Sequence, residues 1–148
     1  MKLSCILLPG ILITMTFAVL SCSKSGSGSK PNLSIASLNN PIQPGQSLTV
    51  NFKFTNGGKL SNGTFVAFRT RLNQVQPPNP ISGDTITAIL PDFNGVEKGE
   101  LEFIQPYDGY LHFVDHINDT LVIKFAVIGV DGKSSDTISS PKIIVINP

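Results

Sequence analysis

After residue 30 the chain alternates apolar and polar residues with a period of two. Leu48, Val50, Phe52 and Phe54 are separated by Thr49, Asn51, Lys53 and Thr55. Successive strand side chains point to opposite sides, so this alternation predicts a half-buried β-strand. In the next run Val66, Phe68, Thr70 and Leu72 alternate with Phe65, Ala67, Arg69 and Arg71. The more apolar set predicts the inward face, which leaves Phe65, Ala67, Arg69 and Arg71 outward. Ile86, Ala88 and Leu90 alternate with Thr85, Thr87 and Ile89, and Leu101 and Phe103 with Glu100 and Glu102. Leu121, Ile123, Phe125 and Val127 predict an inward face, with Val122, Lys124, Ala126 and Ile128 outward. Ile143 to Ile146 is a short apolar run, and Leu33 to Leu38 supplies a first strand.

Turn residues separate these runs. Pro44-Gly45, Asn56-Gly57-Gly58, Asn62-Gly63, Pro77-Pro78, Ser82-Gly83-Asp84, Asn94-Gly95, Asp108-Gly109 and Asp131-Gly132 punctuate the chain. Each supplies a backbone conformation that a strand cannot hold. No window after residue 31 carries a helical period. About seven strands in one stretch of this length predict a single all-β domain, an antiparallel sandwich, over residues 31–148.

The first thirty residues follow a different rule. Met1 and Lys2 give a short positive start, and Leu3 to Leu20 is mostly apolar but interrupted by Pro9-Gly10. A membrane-spanning helix needs about 20 continuous apolar residues. A positive start, an apolar core and a small-residue cut site predict a secretory signal over residues 1–21. Val19-Leu20-Ser21-Cys22 resembles the lipobox of bacterial lipoproteins: an aliphatic residue, a variable one, a small one, then cysteine. The resemblance implies that the Cys22 thiol receives a diacylglycerol and that Cys22 becomes the first residue of the mature chain. The alternative is ordinary cleavage after Ser21, with Cys22 a free thiol. Residues 22–30, ending Ser-Lys-Ser-Gly-Ser-Gly-Ser-Lys, read as a flexible tether with a reach of about 15 Å. In Bacteroidota-type lipoproteins, acidic residues just after the cysteine direct export to the cell surface. Ser23, Lys24, Ser25 and Gly26 include none. The resemblance therefore implies an outer-membrane anchor facing the periplasm.

The segment Pro41 to Gln46 before a Leu-Thr-Val-Asn-Phe strand resembles the A–B region of immunoglobulin-like and fibronectin-III-like bacterial modules. Leu121 to Val130, a turn at Asp131-Gly132 and Ile143 to Ile146 resemble their F–G hairpin. That resemblance implies that the strands of residues 65–72 (C), 121–128 (F) and 143–146 (G) are neighbours. It also offers Tyr107 or Tyr110 as a tyrosine corner before strand F.

Charge and cysteine content narrow the classes. Eleven Lys and Arg balance ten Asp and Glu, a net charge of +1, with no basic run. Nucleic-acid binding leaves a clustered positive footprint, so that class is excluded. The two cysteines are Cys5, in the signal, and Cys22, so the domain relies on its apolar core and not on disulfides.

Candidate chemistry is sparse. The sequence contains no nucleophile elbow, HEXXH or phosphate loop, so the expectation is a non-enzyme without cofactors. His112 and His116 are the only histidines. On a strand, side chains four residues apart are about 13 Å apart, too far to share an ion. Asp108, Asp115, Asp119 and Asp131 could offer calcium oxygens, without the spacing of a known loop. Glu100 and Glu102 invite an acid-pair reading, against that of a solvated strand face.

Asp84-Thr85-Ile86, Asp119-Thr120-Leu121 and Asp136-Thr137-Ile138 repeat one triplet. It resembles the O-glycosylation signal of extracytoplasmic Bacteroidota proteins, which would make Thr85, Thr120 and Thr137 the modified residues. The alternative is that Asp followed by a β-branched residue is a way to leave a turn and enter a strand.

The functional expectation is a lipid-anchored envelope module. It would dock a protein through an apolar outer face made of Phe65, Arg69, Arg71, Val122, Lys124 and Ile128, or through a sheet edge. A loop over residues 74–81 could instead cover that face. The alternative function is a glycan-binding accessory lipoprotein of an outer-membrane uptake system, using Tyr107, Tyr110 and Phe93. The absence of Trp and the inward position of most Phe weigh against it.

Overall fold

A computed structural model describes residues 30–73, 84–111 and 117–148. Eight strands run through them: β1 (Asn32–Leu38), β2 (Leu48–Thr55), β3 (Thr64–Arg71), β4 (Thr85–Ile89), β5 (Lys98–Gln105), β6 (Asp119–Ile128), β7 (Ile138–Ser139) and β8 (Ile143–Val145). They form two antiparallel sheets packed face to face. One has the order β1-β2-β5; the other has the order β4-β3-β6-β7, with β8 also on β6. The neighbour relation expected for strands C, F and G holds, because β3 pairs with β6 and β6 with β8. The only helical turns among the described residues are a 3-10 turn at Gly57–Lys59 and one π turn at Tyr107–Leu111.

The turns sit where the sequence places them. Asn56, Asn62 and Asn94 adopt positive φ (61°, 57° and 48°), as do Gly45, Gly95 and Gly132. Asn tolerates that left-handed region better than most side chains, and Gly enters it freely. Gly57 is required for another reason: a Cβ there would stand 1.9 Å from the Val96 carbonyl oxygen.

The core lies between the sheets. Leu48, Val50, Phe52 and Phe54 of β2 face Leu121, Ile123, Phe125 and Val127 of β6, and all eight are buried. At the centre, aromatic rings meet edge to face. Phe52 and Phe125 have centroids 4.9 Å apart at 73°, and Phe103 stands 5.6 Å from Phe125 at 70°. Such tilted pairs put a positive ring edge against a negative ring face.

Strand β3 overturns one expectation. Phe65 and Ala67 are core residues, and Arg69 and Arg71 are buried beside them. The antiparallel register sets this phase. Phe65 lies opposite Val127, Ala67 opposite Phe125 and Arg69 opposite Ile123, and residues directly opposite share a face. Phe65 then completes the aromatic cluster, 5.6 Å from Phe52. Val66, Phe68, Thr70 and Leu72 are displaced to the outer side.

The return strand beside β6 is split in two because serine hydroxyls replace ladder carbonyls. Ser140 donates its N–H to Ile123 O (2.8 Å), while its Oγ accepts the Ile123 N–H (3.0 Å). Ser135 does the same with Val127, at 2.8 and 3.0 Å. Each hydroxyl also donates to the next carbonyl, Pro141 O or Asp136 O. Pro141, which has no N–H, sits in the gap where no ladder donor is needed.

Candidate functional site: the outer face of the five-stranded sheet

The outer face of the β4-β3-β6 sheet is built from cross-strand rows. Ile128, Thr64 and Ile89 form one; Ala126, Val66 and Thr87 the next; Lys124, Phe68 and Thr85 a third. Val122 and Thr70 form the fourth, and Thr120 stands opposite Ile144. Ile89 is 81 % exposed, Phe68 43 % and Leu72 43 %, and Ile128 is also exposed. Lys124 is the single charge in these rows. Among the described residues the structure thus brings Val122, Lys124 and Ile128 onto one outer face. It separates from them Phe65, Arg69 and Arg71, which lie beneath the sheet. Arg69 and Arg71, expected on that face, are buried instead.

Those arginines stand at one end of the sandwich, and the sheet leaves each a carboxylate. Arg69 donates through Nε (3.2 Å) and Nη2 (2.7 Å) to Asp84 Oδ1, and its guanidinium lies 4.7 Å from the Tyr110 ring centroid. Arg71 donates through Nε to Asp119 Oδ1. The other Asp119 oxygen accepts from Asn147 Nδ2 at 3.0 Å. The Tyr107 hydroxyl shares its proton between Ile146 O (2.8 Å) and Asn147 Oδ1 (2.7 Å). Tyr107 therefore ties the π turn after β5 to the segment after β8. A tyrosine corner would instead bond back to the chain just upstream.

All three aspartates of the repeated Asp-Thr triplet meet a cation. Asp84 holds Arg69, Asp119 holds Arg71, and Asp136 pairs with Lys30. Each aspartate anchors a cation at a strand entry. Of the three threonines, Thr85 and Thr137 are exposed and Thr120 is half-buried on the sheet face.

The remaining sequence candidates are dispersed. Glu100 and Glu102 are exposed on β5, opposite Lys53 and Asn51. Asp131 accepts the Lys133 N–H within its own turn, and Asp108 is exposed. Asp119 is committed to Arg71. Among the described residues no three His, Cys, Asp or Glu gather as a metal site. His112, His116 and Asp115 lie outside the described residues, as do Cys22 and the loop over residues 74–81. Among the described residues no helix is long and apolar enough to cross a membrane. The rings proposed for a glycan platform are turned inward: Tyr107 and Tyr110 are buried, and Phe93 packs on Phe54 at 4.7 Å.

Burial raises the Tyr110 hydroxyl to about 12, with Arg69 opposing and Asp84 adding to the shift. Burial also raises Tyr107, and Asp108 and Asp119 add to that. Unfolded tyrosine ionises near 10. Between pH 10 and about 12 the unfolded chain therefore releases a proton that the folded chain retains. The stability contribution is intact below pH 10 and is lost as pH rises through about 12. Denaturant midpoints measured across this window should fall with pH, and Tyr110→Phe should make the fall shallower. An equally steep fall in that variant would contradict the assignment.

Between the edge strands β4 and β5 lies an apolar cleft of about 350 Å³, floored by Phe52, Phe65, Leu101 and Phe103 and flanked by Ile86 and Leu90. No protein-family model matches this chain, and no curated protein matches it.

Proposed function

We propose that the chain is a lipid-anchored, non-enzymatic module of the bacterial envelope that docks a protein partner through the outer face of the β4-β3-β6 sheet. The exposed apolar surface of Phe68, Ile89 and Ile128, with half-buried Val66 between them and Lys124 beside them, carries the reading. Exposed apolar patches of this kind are expensive to leave in water and mark contact surfaces. The anchor rests on the Val-Leu-Ser-Cys motif at residues 19–22 and the Ser/Gly tether behind it. Two or more acyl chains on Cys22 would hold the domain at the membrane, since one chain binds only marginally. The inward-turned rings of Tyr107, Tyr110 and Phe93 remove support from the glycan alternative.

The test places a photoreactive residue at Phe68 in intact cells, with a matched probe at Lys53 on the opposite sheet. A discrete adduct with one envelope protein from position 68, weakened by Val122→Asp and absent from position 53, is expected. Equal adducts from both positions, or none from position 68, would overturn the docking face. Intact mass of the native protein reports the anchor separately: acyl groups on Cys22 and a missing leader are expected, and a bare thiol would remove it.

A further inference from the structure

Each sheet has two edges, and three of the four are closed to strand pairing. Strand β1 carries a bulge between Ile35 and Ser37. Strand β5 displays Lys98, Glu100 and Glu102. At the far edge of the other sheet, β7 is only two residues long. There β8 is covered by the incoming chain: Ile42 donates to Ile144 O (2.9 Å) and accepts from Ile146 N–H (2.9 Å), and Asn40 Oδ1 takes the Ile144 N–H. Bulges, charges, prolines and covering loops are the usual means of preventing edge-to-edge association. Strand β4, Thr-Ile-Thr-Ala-Ile, has no bulge, charge or proline within its five residues and no covering segment among the described residues; Pro91 follows it two residues on. It is uncharged, continuous and rich in β-branched residues.

The hydrogen-bond phase of β4 says what fits it. Arg69 N–H donates to Asp84 O (2.8 Å) and Leu90 N–H to Gly63 O (2.8 Å). In an antiparallel ladder the bonded positions alternate, so residues 84, 86, 88 and 90 turn their backbone groups to β3. Thr85, Thr87 and Ile89 turn theirs outward. An antiparallel second copy centred on Thr87 sets Thr87 against Thr87 and Thr85 against Ile89, so the free groups meet in about six backbone hydrogen bonds. Side chains match as well. Thr–Thr and Thr–Ile pairs are favourable across strands, and no charge opposes a like charge. On the cleft side, Ile86 meets Ala88 of the other copy.

We propose that this protein self-associates through β4, two copies joining their five-stranded sheets antiparallel about a two-fold axis at Thr87. Ile89, 81 % exposed in one copy, then lies between Thr85 of the other copy and its own neighbour Thr64. The outer apolar face becomes continuous across both copies. A five-residue edge buries less than the roughly 1,200 Å² of a standard interface, so the pairing is weak in dilute solution. Tethering both copies to one surface raises their effective concentration. The inference stands on the edge strand and does not require the lipid anchor.

Single cysteines introduced into the full-length chain test the register. Thr87→Cys copies bring two Cα atoms to about 5.5 Å, within disulfide reach. Thr85→Cys copies keep theirs about 13 Å apart, four residues out of step. After mild oxidation of cells producing the protein, and of the purified chain at high concentration, Thr87→Cys should give at least about tenfold more disulfide dimer than Thr85→Cys. The parent chain sets the background from Cys5 and Cys22. Mixing Thr85→Cys with Ile89→Cys should restore the crosslink. Adding Thr87→Lys to that mixture should abolish it, and this exposed edge change leaves the β3 ladder intact. Equal crosslinking of Thr87→Cys and Thr85→Cys, or none above the parent in either setting, would overturn the proposal. A failed Phe68 photoprobe would leave these crosslinks unchanged, so the two readings fail separately.

Discussion

Asp119→Asn should lower the unfolding free energy by about 3–5 kcal/mol, the usual cost of removing one charge from a buried ion pair. Asp119 is fully buried and its partner Arg71 nearly so. One carboxylate oxygen meets Arg71 Nε and the other Asn147 Nδ2. The amide keeps the shape but removes the charge, and Arg71 cannot shed its proton in response. The loss is a large share of a typical domain's 5–15 kcal/mol, roughly. Equilibrium denaturation of the variant measures it. The double change Arg71→Met with Asp119→Leu should recover much of the loss, because an apolar pair of similar volume carries no desolvation penalty. A single variant within about 1 kcal/mol of the parent would show that water reaches the guanidinium.

Phe125→Ala should cost about 3–5 kcal/mol through lost transfer energy and the cavity it leaves. Its ring touches three others, with centroids at 4.9 Å from Phe52, 5.6 Å from Phe103 and 5.9 Å from Phe65. These rings come from both sheets, so the cavity opens where the layers meet and the backbone cannot collapse into it. The informative contrast lies on β3. Phe65→Ala should approach the Phe125 loss, while Phe68→Ala should change stability by less than about 1 kcal/mol, because Phe68 stands on the outer face. The reverse ranking would restore the phase that hydrophobicity alone predicts for that strand. Chevron or equilibrium denaturation of the three variants decides between them.

The misread phase of β3 has a specific cause. Phe65-Val66-Ala67-Phe68 is apolar in both phases, so period-two counting has little contrast to work on. The tie was broken by Arg69 and Arg71, which by composition alone belong in water. Their burial depends on Asp84 and Asp119, which are distant in sequence and arrive from the two strands that flank β3. A local signal was present: an aspartate opens each flanking strand, and Arg-x-Arg closes β3. Only the register shows that they meet. The same holds for the aspartates of the Asp-Thr repeat, whose cation partners only the tertiary structure names.

What this sequence determined by itself is the class, the strand positions, the turns and the inward faces of β2 and β6. These are local properties: strand periodicity and positive-φ residues act within a few positions of each other. The proposed leader, the lipobox-like Val-Leu-Ser-Cys and the Ser/Gly stretch are likewise local motifs, and the envelope reading is a proposal built on them. Tertiary structure alone decided which side of β3 is buried, which aspartate neutralises which arginine, and that Ser135 and Ser140 stand in for ladder carbonyls. It also decided that, among the described residues, no bulge, charge or covering segment lies along β4. Each of those depends on strand register, which is a global property: every face is fixed by the face opposite it, and no segment carries that information alone.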